Sequence, residues 1–408
     1  MKRRDLIKNL SVLPFAGGIL GTLNPESVKA APPAKKRDLF KELGIRTFIN
    51  AAGTLTFMTG SLMHDYVLET INATSKDFCL LDELQDKVGE RIAKLVHAES
   101  AVVTSGAFSG LTLGLAGVLC GMDEKKVEKL PHLEGSGLKS EVICQKAHDI
   151  VYNHAFINTG CKIVSVETVE ELEKAINEKT ALLSFINIQA DKGKIQHEEW
   201  VALGKKHNIP TCIDIAADVP PVSNLWKFND MGFDIVVISG GKAIRGPQSA
   251  GILMGKKHII AAARLHMPPR GFNIGRGMKI NKEEILGMYV ALEQYIQYDH
   301  DKEWKQWEKG IALIENAVKP VNGVTTKVHV PPLGNITPTL TISWDPNIVK
   351  LSTKDLQEKL RNGNPSIEVG GGGGENRVNV TVWVMKPGQD KIVAQRIKEE
   401  LSTASALS

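Results

Sequence analysis

The stretch FDIVVISGGKAIRGPQSAGIL, residues 233–253, carries a lysine to the end of an apolar run and surrounds it with glycine. The run ends at Ser239, Gly240 and Gly241 precede Lys242, and Gly246-Pro247 separates it from a second apolar run. A lysine so placed can act as an amine nucleophile or a general base. Three other apolar runs end in polar groups. TCID ends in Asp214, AVVTS leads through Ser105 into Gly106 and Ala107, and EVICQ is followed after two residues by His148. Singly, each has an ordinary role as a helix cap, a solvated lysine or a tight turn. Together they supply a carboxylate, a lysine, an imidazole, and hydroxyl and amide groups where a helix begins.

These residues meet only if their elements place them on one edge. AVVTS (101–105), EVICQ (141–145), KIVSV (162–166), ALLSFINI (181–188), TCIDIA (211–216), FDIVVIS (233–239) and AGILMG (250–255) read as short buried strands. Helix-length segments separate many of them, among them AFSGLTLGLAGVL, VYNHAFINT, VEELEKAINE and EEWVALGKKHN. This alternation predicts an α/β fold with a mostly parallel sheet covered on both faces. In such sheets ligands bind beyond the carboxyl ends of the strands. After about residue 280 the texture changes to two long helical patterns, then TKVHV, TLTISW and VNVTVWV mixed with the helices TKDLQEKLRN and DKIVAQRIKEELS. That predicts a smaller C-terminal α+β domain. The expected division is a leader at 1–30, a linker or arm at 31–45, a large domain at 46–285 and a small domain with its connecting helix at 286–408. The run Gly370–Gly374 reads as a flexible loop, because no hydroxyl or lysine follows it as in a phosphate loop.

Composition sets bounds. The 408 residues are 42% hydrophobic and 24% charged, ample for a large core. A net charge of +4, with no dense basic block beyond the N-terminus, gives no ground for a nucleic-acid partner. Lys2, Arg3 and Arg4 precede the apolar stretch Leu10–Leu23 and the small-residue pattern Val28-Lys29-Ala30. This predicts a twin-arginine-type export signal, cleaved after Ala30, and a periplasmic location. The apolar stretch is too short and interrupted to span a membrane stably. The five cysteines show no paired spacing and the eleven histidines no metal-ligand spacing, so buried thiols and no metal site are expected.

The strand-end set matches what pyridoxal 5'-phosphate requires: an anion cradle at a helix start, a lysine for its aldehyde, a carboxylate for its ring nitrogen and a partner for its flat face. SGGKAIRGPQSAGILMG resembles the lysine motif of fold-type I pyridoxal-phosphate enzymes of the selenocysteine synthase-like group, which includes D-glucosaminate-6-phosphate ammonia-lyase. INAAGTLTFMTGS (49–61) and FNIGRGMKINKEEILG (272–287) resemble further segments of the same group. The resemblance runs from about residue 43 to the C-terminus and is loose after about 320. It implies the fold-type I transferase architecture and pyridoxal 5'-phosphate as cofactor. It makes Lys242 the Schiff-base lysine and Asp214 the ring-nitrogen partner. Ser105, Gly106 and Ala107 become the phosphate cradle with Ser239 beside it, and His148 the ring-stacking residue.

The cofactor motif leaves several reactions open. The expected one is a lyase acting on a 2-amino-3-hydroxy acid related to an amino sugar acid. Lys242 abstracts the α-proton, and β-elimination then gives a keto acid and ammonia. A selenocysteine synthase-like transferase, an aminotransferase or racemase, and a non-catalytic exported binding protein are the alternatives. Thr54, Arg245, Arg270 and Arg276 are candidates for the substrate, together with Lys279. The arginine that the resemblance places after a Pro-x-Ile-x-Val stretch is absent, since PSIEV runs into glycines; Arg377 is its nearest replacement. The resemblance also implies a homodimer or a higher even assembly.

Overall fold

The computed structural model describes residues 37–406. The export reading rests on residues 1–30, which lie outside the described residues. Residues 37–47 form a short unit of their own, in which Asp38 caps the single turn Leu39–Glu42 by accepting the Lys41 amide at 3.1 Å. The rest of the chain, from Phe48, is a second unit built on two sheets.

Strand β1 (Ile49–Ala51) opens this unit. Seven strands then form the larger sheet. They are β2 (Ser100–Thr104), β3 (Glu141–Gln145), β4 (Lys162–Val166), β5 (Thr180–Ile186), β6 (Thr211–Asp214), β7 (Ile235–Ser239) and β8 (Gly251–Gly255). Their order is β2-β8-β7-β6-β5-β3-β4. All pairs are parallel except those of β8, which runs antiparallel to both β2 and β7. The mostly parallel sheet expected from the alternation is the one observed.

The apolar strand runs exist because both sheet faces are covered. Val236 and Ile238 of β7 point into one core, with Val88 and Ile92 of the helix Leu81–Leu95. Ile235 and Val237 point into the other, with Leu111 and Leu115 of the helix Gly106–Cys120. Every residue of β5 is buried. Each such side chain removed from water contributes roughly 1.5–3 kcal/mol before entropy is subtracted. Cys120, Cys144, Cys161 and Cys212 are buried free thiols, and only Cys79 is exposed.

The second sheet has the order β1-β11-β12-β10-β9, with β9 (Val324–His329), β10 (Thr339–Trp344), β11 (Ile367–Gly371) and β12 (Arg377–Thr381). Its core takes Ile311 and Ile314 from the helix His300–Val318, Leu356 and Leu360 from Thr353–Asn362, and Ile397 and Leu401 from Gln389–Ala406.

Three details differ from the sequence reading. Strand β1 lies within the 46–285 stretch, yet it pairs in parallel with β11 and belongs to the second sheet. The glycine run begins inside a strand, because Gly370 and Gly371 pair with Asn379 and Val378 of β12. VYNHAFINT forms a 3-10 turn at Val151–Asn153 and one helical turn at His154–Ile157, not a continuous helix. Among the described residues, no helix is long and apolar enough to cross a membrane.

Candidate active site

Sheet register gathers the chemistry. Thr104 at the end of β2 lies opposite Gly251 of β8, and Gly251 lies opposite Ser239 at the end of β7. Asp214, the last residue of β6, pairs with Val237 on one side and with Ile186 of β5 on the other. The turns that follow β2, β6 and β7 therefore leave the sheet along one edge. There they enclose a cleft of about 590 Å³ whose lining includes Thr54, Ser105, Gly106, Ala107, Asp214, Ser239 and Lys242.

Lys242 is presented by a braced loop. The Gly240 amide donates to the Ala250 carbonyl at 2.8 Å, and the Gly246 amide donates to the Gly240 carbonyl at 2.9 Å. The Ser61 hydroxyl donates to the Lys242 carbonyl at 2.7 Å. Burial pushes the Lys242 amine below the usual lysine range, while the charges of Asp214 and Asp218 oppose that shift. A lowered amine pKa leaves more of the neutral nucleophile or base at neutral pH.

The cradle forms where β2 passes into the helix Gly106–Cys120. Its N-cap, Ser105, makes no side-chain cap hydrogen bond, so the first-turn amides are left for another acceptor. Gly106 sits at φ +86°, a conformation that side chains rarely adopt. Gly251 packs directly beneath it, and a Cβ there would come within 2.5 Å of the Gly106 carbonyl carbon and 2.7 Å of the Ala107 amide nitrogen. The turn thus has a fixed shape, with free amides and the Ser105 hydroxyl beside it.

Two carboxylates follow β6. Asp214 accepts the Ala216 amide at 2.8 Å; burial raises its pKa, and that hydrogen bond and the Lys242 charge pull it back down. Asp218 is fully buried, and burial raises its carboxyl to about 6. One of its oxygens accepts the Gly334 amide at 3.2 Å, and the Asn187 side chain and that amide pull its pKa back down. Amides at a helix start, an amine on a braced loop and a carboxylate at the next strand end fit pyridoxal phosphate. Ser105, Gly106 and Ala107 would hold its phosphate, Lys242 its aldehyde carbon and Asp214 its ring nitrogen.

Other expected residues lie elsewhere. His148 does not line the cleft. The 3-10 turn Lys146–His148 folds it into the core, where Nδ1 accepts the Ile186 amide at 3.2 Å and its ring meets Phe185 edge-on at 4.5 Å. Burial lowers its pKa to about 4, so it is a neutral core histidine. Tyr152, on the same connection, lines the cleft instead. Arg245 also points away, because its guanidinium donates to the Trp383 carbonyl and ties the lysine loop to the segment after β12. Arg270 is bound to Asp82 at 3.1 Å in a surface network that includes Arg264 and Asp86. Arg276 and Lys279 are exposed outside the cleft, and Arg377 packs over the glycine loop. Arg245, Arg270 and Arg377 thus make contacts within the chain, and Arg276 and Lys279 do not line the cleft.

Thr54 does reach the cleft. The Asn50 side chain accepts the Ala52 and Gly53 amides at 3.0 and 3.1 Å, forming the turn that delivers it. Asn335 and Gln248 were not foreseen. Gln248 stands in the Gly-Pro-Gln motif itself, whereas Asn335 arrives from a loop between β9 and β10 that carried no sequence signal.

The Aminotransferase class-V family pattern matches residues 83–274, which holds the cradle, Asp214 and Lys242. D-glucosaminate-6-phosphate ammonia lyase of Salmonella typhimurium (strain 14028s / SGSC 2262) is 27% identical over 341 residues, covering 81% of this chain and 88% of that protein. The 5'-C-glycyluridine monooxygenase-decarboxylase of a Streptomyces species is 24% identical over 342 residues, covering 80% and 83%. A solved structure of D-glucosaminate-6-phosphate ammonia-lyase superposes with a TM-score of 0.78 at 25% identity, covering 91% of this chain and all of that one. With the strand-end geometry, these likenesses give the chain the fold-type I architecture of pyridoxal 5'-phosphate-dependent enzymes and make it similar to the class-V aminotransferases and to the selenocysteine synthase-like group.

Proposed function

We propose that the chain is a lyase that releases ammonia from a 2-amino-3-hydroxy acid. One observation carries this reading: the buried Lys242 amine shares a cleft with Asp214 while its pKa is lowered by burial. Pyridoxal phosphate, when bound, stabilises the electron pair left on the substrate α-carbon. Lys242 takes the α-proton at its amine nitrogen. The bond from C3 to its hydroxyl then breaks, and the oxygen leaves as water with the proton Lys242 returns. Hydrolysis of the freed enamine uses one water and yields a 2-oxo acid and ammonia. Asp214 would partner the ring nitrogen at the strand end, and the Ser105–Ala107 turn would anchor the phosphate.

The named activity of the Salmonella relative supports an amino sugar acid as substrate. Arg3, Arg4 and the apolar stretch that follows support export, and an exported enzyme favours an unphosphorylated substrate. Leu55, Phe108 and Tyr152 line the cleft and remain exposed at its mouth, which supports a second copy of the chain covering that face. Light scattering tests that assembly.

The test of activity is incubation with D-glucosaminate, D-glucosaminate 6-phosphate and the serine and threonine enantiomers, assaying ammonia and 2-oxo acid together. Equal amounts of both products from a hydroxylated substrate, and none from alanine, are expected. Exchange of the α-proton with solvent and no ammonia would replace the lyase reading with a racemase or transferase.

A further inference from the structure

The loop between β9 and β10 is stapled onto the end of β6. The Asn335 amide donates to the Ala217 carbonyl at 2.6 Å, and the neighbouring Gly334 amide donates to the buried Asp218 carboxylate at 3.2 Å. Asn335 itself sits at φ +48°, a conformation unusual outside glycine, yet tolerated by asparagine. The effect is to turn its carboxamide into the cleft, beside Thr54. The Thr54 hydroxyl donates to Asn335 Oδ1 at 3.3 Å.

That contact fixes what the pair offers a ligand. A threonine hydroxyl has one proton, and here it is used on Asn335. Left facing the cleft are the acceptor lone pairs of Thr54 Oγ1 and the two donor hydrogens of the Asn335 amide. A carboxylate or phosphate only accepts, and finds one matched group in this pair. An alcohol donates and accepts, and matches both. Both side chains are neutral, and Thr54 is buried, so the pair itself offers a charged ligand group no counter-ion.

We propose that Thr54 and Asn335 form a subsite that reads a hydroxyl on the substrate's carbon chain, with Asp218 as the positioning residue that holds the Asn335 loop in place. The inference rests on the amino-acid lyase reading and specifies the side chain that its substrate carries.

The experiment titrates the visible band of the cofactor-loaded protein with matched ligands. D-glucosaminate is compared with D-norleucine, which has the same chain length without hydroxyls. Serine is compared with alanine, using both enantiomers. The wild type is expected to bind the hydroxylated member of a pair about tenfold or more tightly, the scale of one well-formed hydrogen bond. Asn335→Ala and Thr54→Val should keep the band and lose that preference, whereas Thr54→Ser should retain it. Asp218→Ala should weaken binding of the hydroxylated ligand more than that of its partner. A wild type without preference in either pair, or variants that keep the full preference, would overturn the subsite while leaving the cofactor reading intact. A wild type that forms no band would overturn both.

Discussion

The Ser61 hydroxyl donates 2.7 Å to the carbonyl of Lys242, and its own amide donates 3.0 Å to the carbonyl of Gly241. The residue that closes the INAAGTLTFMTGS segment therefore clamps the backbone of the lysine loop from outside. Ser61→Ala removes the hydroxyl clamp and leaves the amide one. It is expected to cost about 1 kcal/mol of stability and to weaken cofactor binding several-fold. Urea midpoints and cofactor titration check this, and an unchanged cofactor affinity would show that the clamp is dispensable.

Gly251→Ala tests the cradle from below. Its new methyl would press on Gly106 and Ala107 at 2.5 and 2.7 Å, distances at which backbone must move. Overpacking of this kind typically costs about 1–3 kcal/mol. The displaced turn should lower affinity for pyridoxal phosphate more than for pyridoxal, because the phosphate is the group the turn is proposed to hold. Equal losses for the two ligands would place the phosphate elsewhere.

Acid should destabilise the fold through its buried histidines. His148 and His266 are held at about 4 by burial, against an ordinary 6.5. Between those values the unfolded chain binds protons that the folded chain refuses, so stability falls as pH drops from 6.5 toward 4. Asp218 works in the opposite sense. Raised from 3.8 to about 6, it holds a proton in the folded state that the unfolded state releases, and offsets part of the loss below pH 6. Asp218→Asn should therefore show a steeper fall in melting temperature between pH 6.5 and 4.5 than the wild type. Parallel curves would contradict the assignment.

The lysine has its own pH signature. Burial lowers its pKa from 10.5, and the charges of Asp214 and Asp218 raise it. The rate at which the cofactor-free protein forms its visible band after cofactor is added should rise with a midpoint below pH 10.5. Asp218→Asn removes a charge that stabilises the ammonium, so its midpoint should lie lower still. A midpoint at or above 10.5 would mean an exposed lysine.

Much of the larger sheet was legible because its strands are buried on both faces. EVICQ and ALLSFINI are continuous runs, and the observed strands lie at 141–145 and 180–186. Asp214 and Lys242 were legible for a related reason, since a polar residue at the end of a buried strand stands out. His148 carried the same signal and misled, because a 3-10 turn sends its side chain back to the Ile186 amide. The arginines misled because segment likeness says nothing about side-chain direction: Arg245 is turned to Trp383 and Arg270 to Asp82. Asn335 was invisible because its role depends on contacts with Ala217 and Asp218, distant in sequence and close only after both sheets form. The pairing of β1 with β11 was hidden for the same reason, a three-residue strand having too little pattern to name its partner.

Lys242 is proposed to carry the cofactor in the cleft beside Asp214. The most direct measurement is the absorbance spectrum of the purified protein after incubation with pyridoxal 5'-phosphate, with Lys242→Ala measured alongside, followed by borohydride reduction and peptide mass analysis. A visible band is expected in the wild type only, with a reduced cofactor adduct on the peptide containing Lys242. No band in the wild type, or an adduct on another lysine with Lys242→Ala still coloured, would contradict it.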